Sequence, residues 1–233
     1  MTTLLTSASR SRTQSPAPAG GGGRGRKSLL ARLSGSRFAR FGLPALAVLC
    51  ALAAAVALAF PTLSDWYAHH EQQVLAGQLD DPAVGAQAGT GNGAPIGRIS
   101  IPSIGVDMVV VQGTDEGDLA KGPGHYPASP MPCAVGDVAI AGHRTTFLHP
   151  FYNLNELVPG DAVVLETRQV TCRYVVSSEP FAVSPHDVAV VANTPGQYTL
   201  TLTTCTPRGS ARQRLVVKAT MVSSAPRGPA ATR

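Results

Sequence analysis

The first forty residues contain no Asp or Glu. Their charges are all cationic, from Arg10, Arg12, Arg24, Arg26, Lys27, Arg32, Arg37 and Arg40. Gly, Ser and Pro fill much of the rest, so this segment cannot bury a core and reads as a disordered basic tail over 1–40. The net charge of +5 comes largely from that tail and says little about what the folded part binds. Aromatic residues make up only 5% of the chain, with a single Trp. A basic segment without aromatics to stack bases argues against nucleic-acid binding. Charge of either sign then disappears from Phe41 to Leu63, a nearly continuous apolar run. That length spans a bilayer as one helix. The positive charge before it predicts a cytoplasmic N-terminus and an extracellular remainder, a single-pass protein of the cell membrane. A cleaved signal peptide is the competing reading, since Ala57-Leu58-Ala59 resembles a cleavage site. The long basic region and Pro61 close to the cut weigh against it.

Cysteine is also scarce, with four in 233 residues. Cys50 lies within the apolar run and reads as a small packing residue. The other three, Cys133, Cys172 and Cys205, follow it. An odd number in an exported region leaves one thiol free or paired between chains. Cys133 and Cys172 either bond to each other, which export permits, or stay separate thiols. Acidic residues are scattered rather than grouped as a calcium cage. His69 and His70 are adjacent and so diverge on a helix, which makes them solvated residues rather than metal ligands. No metal and no cofactor is expected.

Residues 64–95 read as a juxtamembrane segment and linker. Trp66 and Tyr67 suit an interfacial anchor, and Gly85 to Pro95 is rich in Gly, Ala, Asn and Thr. One compact domain over 96–222 follows, with a second disordered tail over 223–233. Strands are expected within Ile96–Ile104, Asp107–Val111, Asp137–Ala141, Ala162–Glu166, Tyr174–Ser177, Tyr198–Thr204 and Leu215–Ala219, and helical turns near Asp115–Ala120, Phe151–Leu157 and Pro185–Val191. Many short strands between turn signals make the domain mainly β, a closed barrel or a sandwich.

The most informative stretch is Tyr198-Thr-Leu-Thr-Leu-Thr-Thr-Cys205-Thr-Pro207, followed by Arg214-Leu-Val-Val217. It reads as a strand ending at a cysteine, a turn, and a strand opening at an arginine. A cation beside a thiol favours the thiolate, which is the reactive species. Ala139-Ile-Ala-Gly142-His143-Arg144 ends another apolar strand on a histidine. Cys205, His143 and Arg214 at three strand ends form a candidate nucleophile, acid/base and cation. Arg212 competes with Arg214 for the last role, and Arg144 reads as a surface residue or salt-bridge partner. His125, His149 and His186 read as structural hydrogen-bonders.

Thr201-Leu-Thr-Thr-Cys205-Thr-Pro207, the downstream Arg214 and the upstream Gly142-His143-Arg144 together resemble a sortase, a cysteine transpeptidase of Gram-positive surfaces. The phrases Lys121-Gly-Pro-Gly-His-Tyr126, His143-Arg-Thr-Thr146 and Leu157-Val-Pro-Gly-Asp161 look most like the class E, actinobacterial housekeeping group. Cys133 and Asp137 depart from it, standing where Gly and Asn are expected. The resemblance implies an eight-stranded β-barrel with short helices after one transmembrane helix. It implies that Cys205 attacks between Thr and Gly of a Leu-Ala/Pro-x-Thr-Gly-like signal and forms a thioester. His143 protonates the leaving amine and activates the incoming one, and Arg214 steadies the oxyanion. Tyr126, Thr203 and Thr204 are the implied substrate-binding residues. The implied partners are secreted proteins with C-terminal sorting signals, a cell-wall precursor amine and the membrane, with no nucleic acid.

Three rivals are considered. A pilin polymerase of the same fold would use a lysine amine and often carries a lid before the barrel. Asp80-Asp81-Pro82 resembles a lid start but has no aromatic after it. A peptidoglycan L,D-transpeptidase would place its His close to its Cys in sequence, unlike His143 and Cys205. A non-enzymatic anchored β-domain would not need all three strand-end residues.

Overall fold

A computed structural model of the protein describes residues 37–81 and 91–227. Almost all of the basic tail, the first part of the expected linker and the last six residues lie outside that range. The chain divides into two compact units that meet between Ala53 and Ala54.

Helix α1 (Arg37–Asp80) accounts for all described residues of the first unit and opens the second. Its run from Phe41 is long and apolar enough to cross a membrane, and the most apolar window is fully exposed. The helix does not stop at Leu63. Residues 64–80, read from the sequence as the start of a juxtamembrane segment and linker, are helical. In the second unit they present a buried stripe of Ser64, Ala68, Leu75 and Leu79. Their spacings of about four, seven and four residues, one and two turns, keep them on one helix face. Leu75 and Leu79 pack on Val109 and Val111 of the barrel. Gln72 sits on the same face, accepting from the Val109 N–H and donating to the Val109 and Lys121 carbonyls. Interleaved His69, His70, Glu71 and Gln73 dilute the stripe in any running average of hydropathy.

The second unit continues with nine strands: β1 (Pro95–Ile101), β2 (Val106–Gln112), β3 (Gly124–His125), β4 (Gly136–Ala141), β5 (Ala162–Glu166), β6 (Val170–Val176), β7 (Phe181–Val183), β8 (Tyr198–Thr206) and β9 (Gln213–Pro226). The order β6-β5-β1-β2-β3-β4-β8-β9 returns from β9 to β6, so eight strands close a barrel. The free edge of β9 is shared: β7 takes Arg214 to Val216 and β6 takes Ala219 to Pro226. Short helical turns η1 (Pro102–Ile104), α2 (Glu116–Leu119), η2 (Leu154–Glu156) and η3 (Val188–Val191) fill the connections. Strands β3 and β7 have two and three residues, too few for an alternating pattern to register. Residues 223–226, expected in the disordered tail, are instead the end of β9, because their backbone pairs with Val170 to Arg173.

Alternation sorts the strands. Val138, Ile140, Leu200, Leu202, Leu215 and Val217 face the core with Ile99, Leu165 and Tyr174. Each such aliphatic side chain contributes about 1.5–3 kcal/mol on burial. Intervening residues of β4, β8 and β9 face outward, yet every residue of β4 is buried. Its outer face is therefore covered, as for a strand sandwiched on both sides.

Of the two possibilities read for Cys133 and Cys172, the bonded one holds, with α-carbons 5.8 Å apart, while Cys205 is free. The bridge ties the approach to β4 onto β6 across 39 residues of sequence. Replacing both Cys133 and Cys172 by Ala should lower unfolding free energy by about 3 kcal/mol, read from chemical denaturation of the oxidised protein and the variant.

Candidate active site

Three adjacent strands build the site. Strand β4 runs parallel to β8 with Ala141 opposite Thr203, and β8 runs antiparallel to β9 with Cys205 opposite Arg214. The Gly142 N–H donates to the Thr203 carbonyl at 3.1 Å, carrying the parallel register past the strand end. Carried two residues past Ala141, the last residue of β4, that register brings His143 level with Cys205. One row, read from this extension, holds His143 beside the paired Cys205 and Arg214. Residues two apart on a strand share a face, so the row lies on the outer side of the barrel wall. Arg212 falls in the turn before β9, exposed and outside the register.

Below this row, in the same outward set, come Ala141–Thr203–Val216, then Ala139–Thr201–Lys218. Two alanines and two threonines make a low floor. At about 6.6 Å per residue pair, it runs about 13 Å from Cys205 to Thr201. The Tyr126 hydroxyl meets the Thr203 hydroxyl at 3.1 Å, so Tyr126 stands beside the second row. Thr203 is buried, and so is Thr204, whose hydroxyl donates to the Gly142 carbonyl at 2.7 Å. Thr204 faces inward and its hydroxyl ties the Cys205 strand to the residue before His143.

The far end of the floor is closed by a buried charge. Asp137 is fully buried and accepts from the Thr199 and Thr201 hydroxyls at 2.8 and 2.6 Å. Its ion-pair partner Lys218, 3.2 Å away, also donates to the Thr201 hydroxyl and to the Val190 carbonyl of η3. Asn193 accepts from the Asp137 N–H. This cluster fastens the segment between β7 and β8 across the outer face of β4. Asp137, noted in the sequence as a departure, is the anion at its centre.

Half-buried His143 has one ring nitrogen, Nε2, shielded from solvent without a hydrogen-bond partner among the described residues. Burial lowers its pKa below 6.5, opposed by the Glu116 carboxylate. Arg144 corrects its sequence reading as a surface side chain or salt-bridge partner. It is buried, and its guanidinium donates to the Cys205 carbonyl, the Thr206 hydroxyl, Asn155 Oδ1 and the Tyr152 carbonyl. It is a clamp beneath the β8 end that carries Cys205. Its role was hidden in the sequence because its acceptors are mostly backbone carbonyls and a loop amide. Arg214 donates to the Ala211 and Gln213 carbonyls, within its own turn. His125 is buried against Gln112, Ser129 and the Pro130 carbonyl, the structural role read for it. The lid-like Asp80-Asp81 lies elsewhere: Asp80 pairs with Arg227 and the Asp81 carbonyl accepts from Arg168, at the opposite end of β9 from Arg214. Among the described residues, no group of His, Cys, Asp and Glu could hold a metal ion.

Replacing Arg144 with Met should take a donor from the Cys205 carbonyl and the Thr206 hydroxyl, while Arg208 still reaches the Tyr152 carbonyl and Asn155 Oδ1, and should cost about 2 kcal/mol in a denaturant titration. A second outcome concerns pH. Burial holds the imidazoles of both His125 and His143 below 6.5. Above pH 6.5 they are neutral in folded and unfolded chains alike. Below it the unfolded chain binds protons that the folded chain refuses, so stability should fall with falling pH. Urea midpoints measured down from pH 7.5 should decline, and decline less in His143→Gln.

Comparison with known proteins agrees with this geometry. A sequence profile of the sortase domain matches residues 99–222, more than half of the chain. The sortase SrtE1 of Streptomyces coelicolor is 30% identical over 231 residues, covering 86% of this chain and 65% of that protein. Sortase D of Bacillus subtilis is 32% identical over 128 residues, covering 54% of this chain and 63% of that one. The chain thus spans just under two thirds of the length of these curated relatives. Among solved structures, sortase E from Streptomyces avermitilis has a TM-score of 0.54 at 34% identity, covering 59% of this chain and 93% of that chain. A Clostridium perfringens sortase D5 transpeptidase has a TM-score of 0.58 at 28% identity, covering 66% and 98%. On its profile match, its relatives and its closed barrel, the chain belongs to the sortase family.

Proposed function

We propose that the protein is a membrane-anchored cysteine transpeptidase that cleaves a Leu-Ala/Pro-x-Thr-Gly-like sorting signal between Thr and Gly and passes the acyl part to a cell-wall amine. The observation that supports it most is the pairing of Cys205 with Arg214, beside which the β4–β8 register, carried two residues past Ala141–Thr203, brings His143. In this reading residues 41–63 of α1 cross the membrane, the basic tail stays in the cytoplasm and the barrel lies outside.

The chemistry follows from the row. The Cys205 thiolate attacks the Thr carbonyl carbon, and the carbonyl electrons move onto oxygen. Arg214, a permanent cation with a planar fork of donors, steadies that oxyanion. The C–N bond breaks, His143 gives its proton to the departing glycine amine, and a thioester remains on Cys205. An incoming amine loses its proton to His143 and displaces the thiolate. The floor running back from Cys205 is about the length of the four residues before the cut, and its alanines leave room for an extended backbone. Tyr126 borders that floor. The hydroxyls of Thr203 and Thr204 shape it and hold it in place, since both already have internal partners. Asp80 and Asp81 are held away from the row, which favours an open housekeeping enzyme over a lidded pilin polymerase.

The test is cleavage of Leu-Ala-x-Thr-Gly and Leu-Pro-x-Thr-Gly peptides with an added amine. Cys205→Ala should abolish turnover and the thioester adduct seen by mass spectrometry. His143→Ala should abolish transfer in a folded protein. Arg214→Ala should slow it about a hundredfold to a thousandfold, with little rescue by Arg214→Lys. Arg212→Ala should be mild. Peptide cleavage by folded Cys205→Ala would overturn the reading.

A further inference from the structure

After His143 and Arg144 the chain makes a tight excursion before it reaches Phe151. Phe147, Leu148 and His149 have φ of +53°, +61° and +38°, three successive non-glycine residues in left-handed conformation. Each costs of order 1–3 kcal/mol and persists only when its surroundings enforce it. Part of the enforcement is local: the His149 N–H donates to the Thr146 carbonyl and the Phe151 N–H to the His143 carbonyl. The rest comes from α1. The Asp65 carboxylate accepts from the Leu148 N–H at 2.7 Å. The Phe60 ring meets the Phe147 ring edge-on, with centroids 6.4 Å apart. Phe147 in turn covers the His143 imidazole at 5.2 Å.

We propose that Asp65 and Phe60 are positioning residues of the active site, with α1 from its last membrane-spanning turn at Phe60 onward acting as a strut that holds the loop carrying His143. The catalytic part rests on the role given to His143 above. Two observations separate the strut from a chance contact. The buried stripe Ser64, Ala68, Leu75 and Leu79 fixes the rotation of α1 against the barrel, and this aims Asp65 at the loop. The bond also runs from a backbone amide in left-handed conformation to an ionised acceptor, a stronger class of hydrogen bond than a neutral pair. A helix that only tethered the domain would need none of this. The strut acts on the imidazole through Phe147, so it governs how often His143 stands level with Cys205. Substrate binding on the floor between β4 and β8 does not involve it.

The experiment uses the full chain in lipid nanodiscs. Amide hydrogen exchange across residues 145–150, sorting-peptide kcat and KM, and melting temperature are measured for wild type, Asp65→Ala, Asp65→Asn and Phe60→Ala. Asp65→Ala should speed exchange at Leu148 and lower kcat, each by about tenfold, with KM within about twofold, as expected from loss of one charge-assisted bond. Asp65→Asn keeps an oxygen acceptor and should retain most of kcat. Phe60→Ala should lower kcat without moving KM. Unchanged exchange in Asp65→Ala would overturn the strut whatever the activity. Faster exchange with wild-type kcat would overturn positioning. Equal loss in Asp65→Ala and Asp65→Asn, accompanied by a fall in melting temperature, would reduce Asp65 to a general stabiliser. If wild type cleaves no peptide, the enzymatic reading fails, while the exchange data still decide whether α1 holds the loop.

Discussion

The parallel pairing of β4 with β8 is the constraint on which the site depends. Parallel strands start and end at the same side of a sheet, so residues remote in sequence can finish level with each other. Ala141 opposite Thr203 does this for His143 and Cys205, which are 62 residues apart by number. The antiparallel return of β9 then sets Arg214 directly across from Cys205. A slip of one residue in either pairing would turn a whole strand over and send its outward side chains into the core. The inward sets Val138–Ile140, Leu200–Leu202 and Leu215–Val217 therefore fix the register that the chemistry uses. Arg144 and Thr204 reinforce it beside the row, and the Asp137–Lys218 pair does so at the far end of the floor.

Much of this was legible in the chain. The Thr-Leu alternation before Cys205, the apolar run before His143 and the uncharged stretch from Phe41 each obey a local period, and local periods survive in sequence. The arrangement of strands around the barrel came from resemblance, because nothing in Val106 to Gln112 says which strand will lie beside it. The interactions that went unread are those between residues distant in the chain. Arg144 finds backbone carbonyls at Cys205 and Tyr152, and Asp137 finds Lys218. Neither partner can be recognised from neighbours in sequence. The extension of α1 went unread for another reason: its docking face is made of Ser, Ala, Gln and Leu, too mild a stripe to stand out beside the apolar run.

Two polar devices brace the outer face in different ways. At the η3 end a buried carboxylate and a partly exposed ammonium share the Thr201 hydroxyl, and the Thr199 hydroxyl donates to the carboxylate as well, so each charge is compensated where water is thin. Such a pair specifies an arrangement more than it adds stability, since desolvation offsets much of the attraction. At the His143 end the brace is a carboxylate on one backbone amide plus a chain of three rings, Phe60 edge-on to Phe147 and Phe147 tilted over His143. The floor between them is made of small side chains with few torsions to freeze, so an extended peptide can lie there at low entropic cost.

The cystine between Cys133 and Cys172 has a consequence for where the molecule can be itself. Small domains are held by about 5–15 kcal/mol in all, and one cross-link of this span is a sizeable share of that. Thiols stay reduced in a cytoplasm and bridge outside it. A chain still on the inner side of a membrane would therefore have the approach to β4 unfastened from β6, with the strand that leads to His143 less firmly seated. In an oxidising space the bond forms and completes the fold, so its state is a chemical record of the surroundings the chain has met.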